Sequence, residues 1–125
     1  MKKNVLLIGI DPELVDYSDA ALPPGLTAAK VRAALQADVG RMTALGYAVT
    51  ECYTDLGATA ASVVAAKLEG GSYDCVLVGA GARIPPSNLL LFERLINAIH
   101  EGAPQSKICF NTNPADSAEA VQRWI

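Results

Sequence analysis

This chain of 125 residues has little of what usually identifies a protein class. Aromatic residues make up 6%, and the three cysteines include no C-x-x-C pair, so neither a disulfide framework nor a zinc motif can be read. The net charge is −3 with both signs mixed along the chain, which excludes the basic stripe typical of nucleic-acid binding. No apolar run approaches the roughly eighteen residues that span a bilayer. We expect no nucleic-acid and no membrane partner.

The amino terminus lacks the pattern of a secretory signal. Lys2 and Lys3 precede an apolar run, but the run covers only residues 5–10 and ends at Asp11, and no small-residue cleavage site follows. The cysteines each fall within or beside an expected strand, where they are typical of small buried hydrophobic residues in a reducing compartment. They are Cys52, Cys75 and Cys109. We therefore expect a cytoplasmic protein.

What the chain does contain is a regular alternation of strands and helices. Hydrophobic residues make up 51% and are mostly alanine, valine, leucine and isoleucine, which suits helices packed on a parallel sheet. The expected strands cover residues 5–10, 47–53, 76–78 and 107–111, and the helices cover 27–45, 59–69, 87–99 and the segment from about 114. This pattern predicts one α/β domain over residues 1–125, with three α/β/α layers and a four-stranded parallel sheet.

We expect the strand order 2-1-3-4, which resembles flavodoxin-like domains or half of a Rossmann fold. The resemblance covers most of the chain but concerns architecture alone, so it implies no activity. In such sheets, ligands bind beyond the carboxyl ends of the strands, near the point where the strand order reverses. The residues expected to bind a ligand there are Gly9, Asp11, Asp55, Gly79, Ala80, Gly81, Arg83, Asn111, Thr112 and Asn113.

The loop after the third strand, residues 79–83, is the main candidate for an anion site. Backbone amides before a helix suit an anion, and Arg83 could hold a phosphate or carboxylate through paired hydrogen bonds. The loop is not a dinucleotide fingerprint, because Ile84 stands where the third glycine belongs and Pro85 follows. The alternative is a tight turn with a solvated arginine.

The long connection after the first strand, residues 11–26, is acidic. Its acids are Asp11, Glu13, Asp16 and Asp19, and Asp55 ends the second strand. Grouped carboxylates could hold magnesium, but turn-forming aspartates in a solvated loop explain the pattern better, so we assign no metal site. The acids resemble the start of a receiver-domain phosphoacceptor pocket, yet Gly79 stands where the third strand should end in aspartate. Acids also disfavour an FMN phosphate. The length of the connection indicates a lid or a partner surface.

Polar residues also follow the fourth strand. Asn111 and Thr112 could orient a ligand, but Asn113 before Pro114 is typical of a helix N-cap and Asn111 can hold the turn, which is the reading we favour. The single histidine, His100, is expected at the helix end away from the strand tips, which makes it a poor general base for this site. No cofactor motif and no catalytic set can be assigned.

Three functions remain open. The first is a binding or regulatory module for a small anionic ligand or a protein partner. The second is an enzyme acting on a small phosphorylated or carboxylated substrate, with Arg83 and the amides of 79–82 as its anion site. An Asp11 that caps its own loop would favour the module, and a buried Asp11 beside Arg83 would favour the enzyme. The third is a structural homodimer, because the fourth strand lacks a neighbour and Trp124 follows in an apolar last helix expected to face the sheet.

Overall fold

The computed structural model describes residues 2–125, and its centre is one four-stranded sheet. The strands are β1 (Asn4–Ile10), β2 (Ala48–Thr54), β3 (Cys75–Val78) and β4 (Lys107–Phe110). All neighbouring pairs are parallel, and the order is β2-β1-β3-β4. The predicted parallel sheet and its order 2-1-3-4 are confirmed.

Burial explains why β1 and β3 are the central strands. Both consist almost entirely of branched apolar residues, and the side chains of Val5–Ile8 and Cys75–Val78 are buried on both faces of the sheet. The edge strands alternate more, with polar Thr50 and Glu51 only partly buried in β2. Strands that are apolar on both faces need helices on both sides, and this requirement sets the layering.

Five helices cover the two faces. They are α1 (Ala28–Ala44), α2 (Ala60–Glu69), α3 (Ala80–Arg83), α4 (Leu89–Gly102) and α5 (Ser117–Gln122). Helices α2, α3 and α4 share one hydrophobic cluster with the sheet, and α1 and α5 share another on the opposite face. The predicted three-layer α/β arrangement is thus confirmed. Within residues 2–125, none of these helices is both long and apolar enough to span a membrane.

The structure differs from the sequence-based expectation in two helical segments. The helix expected from Ser87 begins at Leu89, after the short helix α3 and a 3-10 turn at Pro86–Asn88, because consecutive prolines cannot continue an α-helix. The last helix begins at Ser117 rather than near Pro114. Trp124 follows that helix and is 55% exposed, so its expected packing against the sheet is wrong.

Candidate functional site

The connection between β1 and α1 forms a lid over the carboxyl edge of the sheet. We use "lid" for residues 11–26, which precede the N-cap Thr27 and include a 3-10 turn at Pro12–Leu14. Val15, Tyr17 and Leu22 point from the lid toward the strand ends and line the cavity below. The length of this segment therefore serves to roof a cleft, as expected for a lid.

The acidic side chains of the lid mostly hold the lid's own turns. The carboxylate of Asp11 accepts the Glu13 N–H at 2.9 Å, and that of Asp16 accepts the Ser18 N–H at 3.0 Å. Asp19 likewise accepts the Ala21 N–H at 2.9 Å. The hydrogen bond from the Ser18 hydroxyl, and then that from its N–H, lowers the pKa of Asp16. These acids act as turn-forming aspartates.

Few side-chain hydrogen bonds and ion pairs attach the lid to the rest of the molecule. Arg32 of α1 pairs with Glu13 at 2.8 Å, and both side chains are about half exposed or more, at 49% and 64%. The Ser87 hydroxyl donates to the Asp19 carboxylate at 3.2 Å. At the start of the lid, the Asp11 N–H donates to the Thr54 carbonyl at 2.9 Å. Exposed pairs of this kind contribute little, so the polar attachment of the lid is weak, and Val15 packs the lid against the core.

Beneath the lid lies a cavity of ≈ 130 Å³ at the point where the strand order reverses. Its floor is formed by the ends of β1, β3 and β4, and its side wall by Val31 and Leu35 of α1. Among the predicted site residues, those that line it are Gly9, Gly79, Ala80, Gly81, Asn111, Thr112 and Asn113. The sequence-based location of the site at this edge therefore coincides with an actual cleft.

The lining of this cavity is mainly apolar and uncharged. Of the residues that the structure describes, no lysine, arginine, histidine, aspartate or glutamate lines it. Its polar side chains are already hydrogen-bonded within the protein. Tyr17 donates to the Pro12 carbonyl at 2.7 Å, Thr112 donates to Asp116, and Asn113 accepts the Ala115 N–H at 2.7 Å. Burial, followed by the charge of Glu13, raises the pKa of Tyr17, so its ring stays neutral.

Asn111 connects three parts of the floor. Its side-chain oxygen accepts the Ala80 N–H at 2.7 Å, and its side-chain nitrogen donates to the Ser117 hydroxyl at 2.9 Å. Asn111 is 3% exposed, so these bonds form in a dry environment. It fastens the end of β4 to the beginning of α3 and of α5. Asn111 is therefore a structural brace whose amide is occupied.

Two residues of this polar network were not identified from the sequence. Asp38 is fully buried, accepts the Ser117 N–H at 2.9 Å and pairs with Arg41 at 2.8 Å. Arg41 also donates to the Ala115 carbonyl at 3.0 Å. The available signal was the position of Asp38 in α1, between the inward-facing residues Leu35 and Met42. An acid on the apolar stripe of a helix indicates a buried partner.

Arg83 lies under the cleft floor and does not line the cavity. Its Nη2 donates to the Asn111 carbonyl at 2.8 Å, and its guanidinium lies 5.7 Å from the centroid of the Phe110 ring. Its Nε is buried and has no hydrogen-bond partner within residues 2–125. The guanidinium is thus fixed in place as a second brace between α3 and β4, and it is neither turned toward the cavity nor fully solvated.

The predicted aspartates also lie outside the cavity lining. Asp55 accepts N–H bonds from Gly57 at 3.0 Å and from Thr59 at 3.0 Å, together with the Thr59 hydroxyl at 2.8 Å. The Gly57 N–H, and then the Thr59 groups, lower the pKa of Asp55. Asp55 therefore holds the turn that leads into α2. Asp11 caps its own loop, the arrangement that we associated with a binding module.

A second cavity, of ≈ 300 Å³, lies on the other side of the lid. Its lining includes the apolar residues Leu56 and Pro85 and the acidic residues Asp16 and Asp19. The residues common to both cavities are Ile10, Val15, Leu22 and Gly81. Val15 and Leu22 belong to the lid, so the lid forms part of the wall between the two cavities, together with Ile10 and Gly81.

Other parts of the molecule offer weaker candidates for a functional site. An open groove of ≈ 780 Å³ runs between α2 and α4, with no lining residue from the strand ends. Residues 2–125 contain no group of three or more His, Cys, Asp or Glu side chains placed to hold a metal ion. His100 lies exposed on the last turn of α4 and does not line the lid-covered cavity.

Comparisons with known proteins give no relative for this chain. No protein-family model matches it, and neither a curated protein nor a solved structure matches it significantly.

Proposed function

We propose that this protein is a binding module whose ligand is a small, uncharged and mainly apolar molecule held under the lid. One observation carries the proposal: a roofed cavity at the strand-order reversal is lined by apolar side chains such as Ile10, Val31 and Leu35. A cavity of roughly 150 Å³ lined in this way can take up benzene, so ≈ 130 Å³ suits a compact aliphatic or aromatic group. A larger ligand would extend into the second cavity by displacing the lid.

Binding is supported over catalysis by the state of the titratable groups. A general base must reach the reacting atom, yet Asp11 is committed to the Glu13 N–H and Asp55 to Gly57 and Thr59. Neither carboxylate lines the cavity. The enzyme alternative also depended on Arg83 as an anion-binding group, and that guanidinium is engaged with the Asn111 carbonyl.

The structure supports a small anionic ligand, as expected from the sequence, less well than it supports an apolar ligand. The cavity has no lining cation, and the lid above it carries Asp11, Glu13, Asp16 and Asp19 with no basic residue between positions 11 and 26. An anion would meet a repulsive field there. The amides of residues 79–82 give it little support, because those of Gly79, Ala80 and Ala82 already donate within the protein.

Gly81 provides a direct test. A Cβ placed on Gly81 meets no atom within 4 Å, and Gly81 lines both cavities, so we expect a larger side chain there to take up cavity space. Gly40, on the exposed side of α1, also has open space and serves as the matched control. We expect Gly81→Leu to fold and to lose ligand binding, and Gly40→Leu to retain it.

The measurement is ligand-observed NMR with two probe sets at millimolar concentration. One set contains benzene, toluene and short aliphatic alcohols, and the other contains inorganic phosphate, acetate and succinate. Binding of the first set to wild type and Gly40→Leu, lost in Gly81→Leu, supports the proposal. Binding of the anions alone, lost in Gly81→Leu, would replace the apolar ligand with an anionic one. No binding from either set would remove the small-molecule function.

A homodimer is a second candidate, favoured by the free outer edge of β4 and by the exposed indole of Trp124. An uncovered strand edge offers unpaired backbone groups to a second chain. Light scattering after size exclusion, over a dilution series of wild type and Trp124→Ala, tests it, and a monomer at every concentration would remove it. The flavodoxin-like relationship, the cytoplasmic location and the absence of nucleic-acid binding stay predictions.

A further inference from the structure

Two of the three cysteines lie against each other in the core. Cys75 of β3 and Cys109 of β4 bring their sulfur atoms to 3.2 Å, and both residues are at most 1% exposed. The strands are paired in parallel with Cys75 opposite Lys107, which places Cys109 two residues further along the same face. This contact is unrelated to the lid-covered cavity, whose lining includes neither cysteine.

The two thiols are not equivalent. The hydrogen bond between the two thiols lowers the pKa of Cys75, against the opposing effect of burial. The same bond, together with burial, raises the pKa of Cys109. Cys75 is thus the sulfur on which negative charge is better supported, and a thiolate is the reactive form of cysteine.

Buried thiols are usually inert, so an oxidant can react with this pair only if the structure around it opens. The pair belongs to the hydrophobic cluster that includes Ala118 and Val121 of α5. That helix has only six residues, and helices this short depend on packing rather than on their own stability. Opening of α5 alone is a local event that requires less free energy than global unfolding, and it would expose the sulfurs to a small oxidant.

We propose that Cys75 and Cys109 form an oxidation site at which a hydroperoxide converts the two thiols into an intrachain disulfide between β3 and β4. The sulfurs are already 3.2 Å apart and must approach to about 2.0 Å. Because the two cysteines are diagonal in the strand register, this approach also requires β3 and β4 to move toward each other locally. Cys52 lies in the other hydrophobic cluster, on the opposite face of the sheet, and cannot take part.

The chemistry is balanced with hydrogen peroxide as the oxidant. The thiolate of Cys75 attacks one peroxide oxygen, the O–O bond breaks, and the second oxygen leaves as water after protonation, which gives a sulfenic acid on Cys75. The sulfur of Cys109 then attacks the Cys75 sulfur, the S–O bond breaks, and the hydroxyl leaves as water with the Cys109 proton. The two thiols lose two electrons and two protons in total, and the peroxide is reduced to two waters.

The test is thiol counting on the folded full chain. Wild-type protein is treated with hydrogen peroxide, the excess is removed with catalase, and the chain is unfolded and alkylated without reductant. We expect two of the three thiols to be lost, with Cys52 still alkylated. After trypsin, peptide 68–83 should be found linked to peptide 108–123, and reductant should separate them.

The Cys109→Ala variant tests the order of events. Without the second thiol, oxidation of Cys75 should stop at the sulfenic acid, which dimedone traps, while Cys52→Ala should still form the linked peptides. The proposal is overturned if wild type keeps three alkylated thiols under conditions that fully oxidise free glutathione. It is equally overturned if Cys75 and Cys109 end as separate sulfinic acids, or if the linkage joins two chains. The wild-type mapping decides these outcomes even if a variant does not fold.

Discussion

The floor and the lid of the cavity are built in opposite ways. The floor is a set of strand ends tied together by buried hydrogen bonds, chiefly those of Asn111 to Ala80 and Ser117. The lid is held by bonds between its own neighbouring residues and by exposed contacts such as Glu13 with Arg32. Elements that move for ligand entry are drawn from the least stable parts of a fold. We infer that the floor is fixed and that the lid opens.

Removal of the Asn111 amide should produce the largest loss of stability. Asn111→Ala leaves the Ala80 N–H and the Ser117 hydroxyl without their buried partner. We expect the free energy of unfolding to fall by about 3 kcal/mol, because each buried group left unsatisfied costs about 1–3 kcal/mol. Urea denaturation measures the change.

Asn113→Ala is the matched control, since Asn113 lies two residues away, lines the same cavity and is exposed. Its loss should stay below about 1 kcal/mol, because the bond to the Ala115 N–H can be replaced by water. Equal losses for the two asparagines would show that the floor is not braced by Asn111.

Much of the floor could be predicted from the sequence. The bracing roles of Asn111 and Arg83 could not. The apolar runs at β1 and β3, with glycine directly after the second of them, identified a parallel sheet and the edge where the cleft lies. Patterns of this kind reflect burial and backbone geometry, which are local properties. The roles of Asn111 and Arg83 depend on partners more than 25 residues away in the chain, Ala80 and Asn111 respectively. Polarity alone made both look like ligand-binding groups.

The lid, too, could be predicted from the sequence only in part. Its acids suggested either a metal site or turn-forming residues, and local spacing supports the turns because each bond spans two residues. That Val15 and Leu22 separate two cavities depends on how the whole segment folds over the sheet, and no local pattern carries this information.

Two arginines give a direct comparison of floor and lid. Arg83→Ala removes the bond to the Asn111 carbonyl and the contact with the Phe110 ring. We expect a loss of about 1.5–3 kcal/mol, typical of a partly buried hydrogen bond from a charged group. Arg32→Ala removes only the exposed pair with Glu13 and should cost less than about 0.5 kcal/mol of global stability.

Hydrogen exchange separates the two arginine variants further. Arg32→Ala should speed exchange of amides in residues 11–26 while leaving β1 and β3 unchanged, because the lid opens without the sheet. Arg83→Ala should speed exchange throughout the floor. If Arg32→Ala destabilised the whole protein as much as Arg83→Ala, the lid would be part of the cooperative fold.

The smallest predicted effect is on the acid dependence of stability, and it again compares the lid with the rest of the fold. Asp55 and Asp16 both have a lowered pKa, from hydrogen bonds of Gly57 and Ser18 respectively. A lowered pKa in the folded state stabilises the protein above the unfolded value, near 3.8, and this contribution disappears as the pH falls through the folded pKa. Asp55 anchors the turn into α2, whereas Asp16 stabilises only the lid.

Urea denaturation from pH 7 to pH 2.5 should therefore show a weaker acid dependence for Asp55→Asn than for wild type. Asp16→Asn should match wild type in this measurement, since the lid is already open when the sheet unfolds. A reduced acid dependence in Asp16→Asn would mean that the lid and the sheet unfold together.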